Sequence, residues 1–389
     1  MKALVLSGGG SKGSYQIGVW KALKKLHKNF DIVTGTSVGA LNGALITQQS
    51  YRKAIKVWKK LNLKLLFGEC AIDSTDDKEV FKMYRNNFFK YGGMEIKQVE
   101  ELIENSINER KFYHSHINYG LVTFNLSGKK PLQITKKDIP HHLLGDYLMA
   151  SAACYPAFQQ KDIEGKKFID GGVFDNLPIN LAIDLGADEI IAVDLMAPGF
   201  KQIPKKKVPT IIIKPNNKLT NFLNFNEQGA KRNMKLGYND TLKKFGKLEG
   251  KKYTFKKNSL IKNKQKHLDT YQYTFRQIIN NEKLIRNFSL LLKIVPTKEE
   301  KIIDTIMLKV IEDLAKAFGL EETTVYSYKK LNKLLIKKAK LPAVTKETKQ
   351  ILEFFTAIQE KRYKEIRKKA LVTPLEFLKA LYLYTICEV

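Results

Sequence analysis

No stretch of this 389-residue chain is long and apolar enough to span a bilayer, which takes about 20 consecutive residues with few charges. A helical membrane protein is thereby excluded from the expectations. A secretory leader is not expected either, because the first apolar run, residues 3–6, is cut at once by Ser7-Gly8-Gly9-Gly10. Cysteine is scarce. Cys70, Cys154 and Cys387 lie far apart and form neither a metal-ligand cluster nor a disulfide framework, so a reducing, cytoplasmic setting is expected. Acidic residues are outnumbered, 39 against 68 Lys and Arg, for a net charge of +29. Such a field attracts anionic lipid surfaces or nucleic acid. No nucleic-acid recognition motif accompanies the lysines, so specific nucleic-acid binding is not expected. A lysine-rich composition of the source organism is the other origin open for the charge.

What is present reads as two units, since single cores stop growing near about 250 to 300 residues. Short apolar runs at 3–6, 31–34, 119–125, 167–169, 189–195 and 209–213 alternate with amphipathic stretches. Several are too β-branched for half-exposed strands. They predict a three-layer α/β/α fold with a mainly parallel central sheet covered on both faces. A catalytic domain over 1–215, a basic polar connecting region over 216–260 and a basic helical region over 261–389 follow from the shift in pattern. Residues 251–389 carry a net +15 against +14 for the first 250, so the tail is nearly twice as densely charged. Its helix signals are clear. Thr297-x-x-Glu300 has the form of a capping box, followed by one apolar face from Ile303 through Phe318 until Gly319 stops the helix. Thr373-Pro374-Leu375-Glu376 opens the last helix with proline at its first position.

Three constellations carry chemistry. In the first, a strand runs into Ser7-Gly8-Gly9-Gly10-Ser11-Lys12-Gly13 and then a helix. Glycines let bare backbone N–H groups converge on a phosphate or an oxyanion. The spacing also satisfies a dinucleotide fingerprint, but the acidic residue that reading needs, Asp31, opens the second strand instead of closing it. A Walker phosphate loop fails because Lys12 is followed by Gly13. In the second, strand 31–34 leads through Gly35-Thr36-Ser37-Val38-Gly39 into a helix, the context of a nucleophile elbow. In the third, Asp170-Gly171-Gly172 follows a strand and continues to Asp175-Asn176-Leu177-Pro178; an aspartate there can point into a cleft while the glycines turn the backbone.

A serine hydroxyl needs a base. Of the six histidines, only His267 would complete the order Ser37, Asp170, His of an ordinary triad, and it sits in the polar basic run Lys262-Asn263-Lys264-Gln265-Lys266, where it reads as a solvated surface residue.

With these motifs in this order, residues 1–215 resemble the patatin-like phospholipases. The resemblance implies that the loop Gly8 to Gly13 supplies the oxyanion hole, that Ser37 is the nucleophile, and that Asp170 completes a Ser-Asp dyad. Ala150-Ser151 with Pro156-Ala157-Phe158 is similar to a further block of the family. Lys12 stands where many relatives have arginine, and Asp170-Gly171-Gly172 where they have Asp-Gly-Ala. The tail after about 260 has no recognised counterpart.

The expected reaction is hydrolysis of a lipid acyl ester of the phospholipase A or lysophospholipase type through an acyl-enzyme. The backbone N–H groups of Gly9, Gly10 and Val38 would hold the oxyanion, and no metal or cofactor is expected. A neutral-lipid or general carboxylesterase on the same site stays open. So does a non-catalytic binder of anionic lipid or phosphate. The cluster Lys361 to Lys369, beside Phe354, Phe355, Leu375, Phe377 and Leu378, leaves two arrangements open: docking on anionic membranes, or packing with the lysines outward. Oligomeric state is not legible.

Overall fold

The computed structural model describes residues 1–388 except 69–70, 73, 75, 95–96, 260–263 and 281–298. The chain divides into two compact units, Met1–Lys244 and Phe245–Val389. The division falls inside the stretch expected to connect them.

The first unit is built on a sheet that has eight strands among the described residues. They are β1 (Lys2–Leu6), β2 (Ile32–Thr36), β3 (Asn118–Asn125), β4 (Lys130–Thr135), β5 (Lys161–Ile163), β6 (Lys166–Asp170), β7 (Glu189–Val193) and β8 (Thr210–Ile213). The order is β5-β6-β3-β2-β1-β7-β8, with β4 pairing on β3. β3, β2, β1, β7 and β8 run parallel, as the apolar runs predict. β4, β5 and β6 are antiparallel additions at the β3 end; only β6 was expected as a strand. β4 and β5 are half-exposed and carry lysines, so neither shows the continuous apolar run that marks a central strand.

Every residue of β1 from Ala3 to Leu6 is buried, because side chains alternate between faces and both faces are covered. Ala3 and Val5 join Ile32, Ala182, Ile183 and Ile190 in a core under the short helix Ile179–Asp184. Helices α1 (Ser14–Lys25) and α2 (Val38–Thr47) follow the first two strands. A long helix, Glu227–Lys244, packs along α1 and belongs to the first unit. The two helices touch backbone to backbone: a Cβ on Gly18 would lie 1.9 Å from the Met234 carbonyl, and one on Gly237 would lie 2.1 Å from that of Tyr15. The contact is locked by buried Asp240, whose carboxylate accepts from the Tyr15 hydroxyl at 3.0 Å and from the Asn216 amide at 2.9 Å. The 216–260 region therefore holds more regular structure than its polar composition suggests. Its helix is read poorly from sequence because it contains two glycines, Gly229 and Gly237, of which Gly237 makes the contact with α1, and glycine is a poor helix former.

The second unit is mainly helical, with a small sheet of Leu248–Glu249, Thr254–Lys256 and Val325–Tyr326. The expected capping box at Thr297 lies outside the described residues. The helix Glu299–Ala317 buries Met307, Val310, Ile311 and Leu314. It ends at Gly319, φ +64°, where the N–H groups of Gly319 and Leu320 return to the carbonyls of Lys316 and Ala315 at 2.9 Å each. The last helix starts at Pro374 as expected. Phe354, Phe377 and Leu378 pack inside this unit's own core, with Phe355 against it. These side chains are consumed by folding, so of the two arrangements left open they take packing, within this unit's own core. Among the described residues, no helix is long and apolar enough to cross a membrane.

Candidate active site

β2 ends at Thr36 and α2 begins at Val38, so Ser37 alone makes the turn between them. It does so at φ 57°, ψ −131°, a conformation that costs a non-glycine residue of order 1–3 kcal/mol and persists only where the surroundings enforce it. Here they do. A Cβ on Gly35 would come within 2.3 Å of the Gly39 carbonyl, and one on Gly39 within 2.3 Å of the Leu6 carbonyl, so no side chain fits at either flank. The Ser37 N–H donates to Ser151 Oγ at 2.9 Å, and the Ser151 hydroxyl donates to the Val122 carbonyl at 2.7 Å. Ser151 thus ties the elbow to β3. The Thr36 hydroxyl adds a bond to the Asp175 carbonyl at 2.7 Å.

Asp170 arrives from the other direction. Thr36 pairs with Val122 on β3, and Asp170 pairs with the next residue, Thr123. The antiparallel β6 takes over the edge of β3 that β2 leaves. The carboxylate of Asp170 accepts from the Gly172 N–H at 2.7 Å and from the Ser37 hydroxyl. Burial raises its pKa to about 6 against the lowering effect of those two hydrogen bonds. Cys154, on the same wall, has its thiol pushed up to about 12 by burial and by Asp170. Asp175, just past the short turn Gly171–Val173, is also buried and raised by desolvation, and its Oδ2 has no hydrogen-bond partner among the described residues.

The glycine loop divides into engaged and open donors. The Gly8 N–H is held by Asn176, through backbone and side-chain oxygens both at 3.1 Å. Those of Ser11 and Lys12 go to the carbonyls of Phe222 and Gly9, at 2.9 and 3.1 Å. Gly9, Gly10 and Val38 remain; among the described residues their N–H groups meet no acceptor, and all three line the same cavity as Ser37. Unsatisfied donors at a helix N-terminus beside a serine suit a developing negative charge. Lys12 directs its ammonium to the Met196 carbonyl at 3.4 Å, and burial lowers its pKa. Gly13 is the anchor: its carbonyl accepts from Asn42, which also donates to Gln16 and accepts from the Trp58 indole at 2.9 Å.

The cavity holds about 350 Å³. Apart from the polar end at Ser37 and Asp170 its walls are mostly apolar, including Leu41, Leu45, Trp58, Ile103, Met149 and Phe222, with Asn42, Ser106 and Asn176 among them. None of the six histidines lines it. His114 contacts the Arg110 carbonyl and His141 lies on Tyr113, while His267, in the second unit, packs edge-on against Tyr328. Asp31 lies at the far end of β2 from the glycine loop and accepts from the Lys2 N–H, so the dinucleotide reading also fails on position.

Ser151, Asn176, Asn42 and Gln16 were not legible as site residues, although each stood in or beside a motif. One signal was available: Asn42 is a lone amide in the apolar helix Val38–Thr47, and a buried amide needs partners.

A strand, a Gly-x-Ser-x-Gly turn and a helix at the carboxyl edge of a parallel sheet, with a carboxylate against the serine, define the architecture of serine hydrolases that act on ester bonds. More narrowly, residues 4–183 match the family described as patatin-like phospholipase, and the chain carries a domain of that family. It is 28% identical over 200 residues to patatin-like phospholipase domain-containing protein 6 of Mus musculus, covering 50% of this chain and 13% of that protein. It is 30% identical over 200 residues to lysophospholipase nte1 of Aspergillus terreus, covering 49% and 12%. The chain therefore spans a small part of these much longer relatives. The crystal structure of VipD from Legionella pneumophila aligns over 99% of this chain and 91% of its own, with 15% identity and a TM-score of 0.43.

Proposed function

We propose that the chain is a lipid acyl hydrolase of the phospholipase A or lysophospholipase type, working through a Ser37–Asp170 dyad. The observation that carries this reading is the juxtaposition of the two side chains at the polar end of an apolar cavity. Asp170 takes the Ser37 proton as the serine oxygen attacks the ester carbonyl. The N–H groups of Gly9, Gly10 and Val38 receive the oxyanion, and the alcohol or lysolipid leaves with the proton. Water then attacks the acyl-enzyme with Asp170 again as base, releasing the fatty acid and restoring the serine.

A lone carboxylate is a weak base toward a hydroxyl, and desolvation corrects this in part by raising its pKa toward the working pH. The same dry walls accommodate an alkyl chain, which supports a fatty acyl substrate. The names of the related proteins support a phospholipid or lysophospholipid. A panel of phospholipids, lysophospholipids and neutral lipids, incubated with the wild type and Ser37→Ala and read by mass spectrometry of released fatty acid, tests this. Release that is equal in the two proteins rejects the site. Release from neutral lipids alone rejects the phospholipase reading.

A further inference from the structure

We propose that the segment 196–207, between β7 and β8, is the surface by which the cavity mouth docks on an anionic phospholipid bilayer. The segment has no regular secondary structure, yet its backbone is pinned. The Asn176 N–H donates to the Phe200 carbonyl at 2.5 Å, and the Phe200 N–H to the Gly172 carbonyl at 2.9 Å. The Asn180 amide donates to the Ile203 carbonyl at 2.9 Å and accepts from the Lys205 N–H at 2.7 Å. On this fixed backbone three large apolar side chains stand in solvent: Met196 is 56% exposed, Phe200 71% and Ile203 88%. Neighbouring apolar side chains held outward on a clamped loop mark an interaction surface more than isolated exposed ones do.

Position and charge select the occupant. Residues 197–200 form part of the cavity wall, and Tyr155 and Val173, also exposed, line the same cavity. Whatever covers the segment therefore faces the opening that leads to Ser37. The segment contains Lys201, Lys205, Lys206 and Lys207 and no acidic residue. Lys201 and Lys205 are paired with Asp194 and Asp184, at 2.6 and 2.7 Å, which leaves Lys206 and Lys207 as exposed cations beside Ile203. Apolar side chains flanked by lysines match the interface of an anionic bilayer, the apolar groups entering the acyl boundary and the ammonium groups staying among the headgroups. Because the same hydrogen bonds hold the segment to Gly172 and Asn176, docking there brings bilayer ester carbonyls to the mouth without a change of shape.

The proposal rests on the lipid-hydrolase reading, but binding is measured without turnover. Full-length protein bearing Ser37→Ala is mixed with vesicles of pure phosphatidylcholine or of phosphatidylcholine with phosphatidylglycerol, and the bound fraction is read by flotation. The second protein adds Ile203→Ser, Lys206→Glu and Lys207→Glu, none of which lines the cavity. Preferential binding of the first to anionic vesicles is expected, with a loss of at least about tenfold in the second, since each lysine near the surface contributes about fivefold. With Ser37 intact, the three substitutions should leave hydrolysis of a soluble short-chain ester unchanged and lower release of fatty acid from anionic vesicles in step with binding. Equal vesicle binding by the two proteins overturns the proposal. So does wild-type binding no stronger to anionic than to neutral vesicles, or background binding from a chain that self-associates through this face. If no lipid is hydrolysed but the substitutions still abolish vesicle binding, docking stands and the hydrolase reading falls.

Discussion

Asp170 stands against Thr123 one position beyond the pairing of Thr36 with Val122, so the carboxylate meets Ser37 where one strand leaves the edge of β3 and another joins it. Two segments more than 130 residues apart in sequence are aligned by a shared backbone ladder, and the side chains inherit its precision.

If that contact is the catalytic pair, Ser37→Ala and Asp170→Asn should each lower kcat on a lipid ester by at least about a thousandfold, as removal of a nucleophile or base does in serine hydrolases. His267→Ala should leave it within about a factor of two, because His267 lines no part of the cavity. Steady-state release of fatty acid by the three variants checks this, and full activity of Asp170→Asn rejects the dyad.

The raised Asp170 pKa makes a prediction in pH. On the dyad reading the carboxylate is the active form, so kcat/KM should rise through pH 6 and be about tenfold lower one unit below that midpoint. Stability runs the opposite way. Between the usual carboxylate range and about 6 the folded chain holds a proton that the unfolded chain has released, so folding weakens as pH rises through that window. Asp170→Asn, which cannot ionise, should be more stable than the wild type at pH 8 by of order 1–3 kcal/mol and show little gain at pH 4. Thermal melts at the two pH values measure the difference.

Ser151 accepts from the strained Ser37 and donates to Val122. Ser151→Ala leaves a buried N–H and a buried carbonyl short of a partner, at about 1–3 kcal/mol for an unsatisfied group. A larger loss in kcat than in KM is expected, because the serine oxygen shifts while the cavity is untouched. Ser151→Thr, which restores the hydroxyl, should recover part of the rate.

Gly39→Ala places a methyl 2.3 Å from the Leu6 carbonyl and 2.7 Å from that of Ser7. Leu6 ends the central strand β1 and Ser7 follows it directly, so both are backbone atoms with little room to retreat. The variant should lose more than about 4 kcal/mol and be recovered as unfolded or aggregated protein, whereas Gly145→Ala, with open space around it, should express normally. Circular dichroism and yield distinguish them.

Where the sequence was legible, backbone geometry left a direct mark on residue type. The elbow needs Gly35 and Gly39 whatever surrounds it, and the buried parallel strands need unbroken apolar runs. Features set by distant contacts were not legible. Nothing local tells that Asn176 closes the Gly8 donor, or that Ser151 faces Ser37 across 114 positions. The antiparallel strands β4 and β5 are edge elements with lysines along them, and their pattern resembles a loop. The helix Glu227–Lys244 exists because of α1, through a glycine contact that local propensity argues against. The tail stayed open for a related reason: Phe354 and Phe377 beside a lysine run fit a membrane face or a core in one dimension and are a core in three.

The Phe222 carbonyl that receives the Ser11 N–H, and the Phe222 ring in the cavity wall, lie beyond residue 183, where the family match ends. On the proposed hydrolase reading, the dyad and part of the chamber that would receive an acyl chain are thus encoded in separable stretches of the gene. Changes among residues 196–225 would then alter which acyl chains fit while the elbow and its aspartate stay as they are, so two homologues with identical motifs need not share a diet.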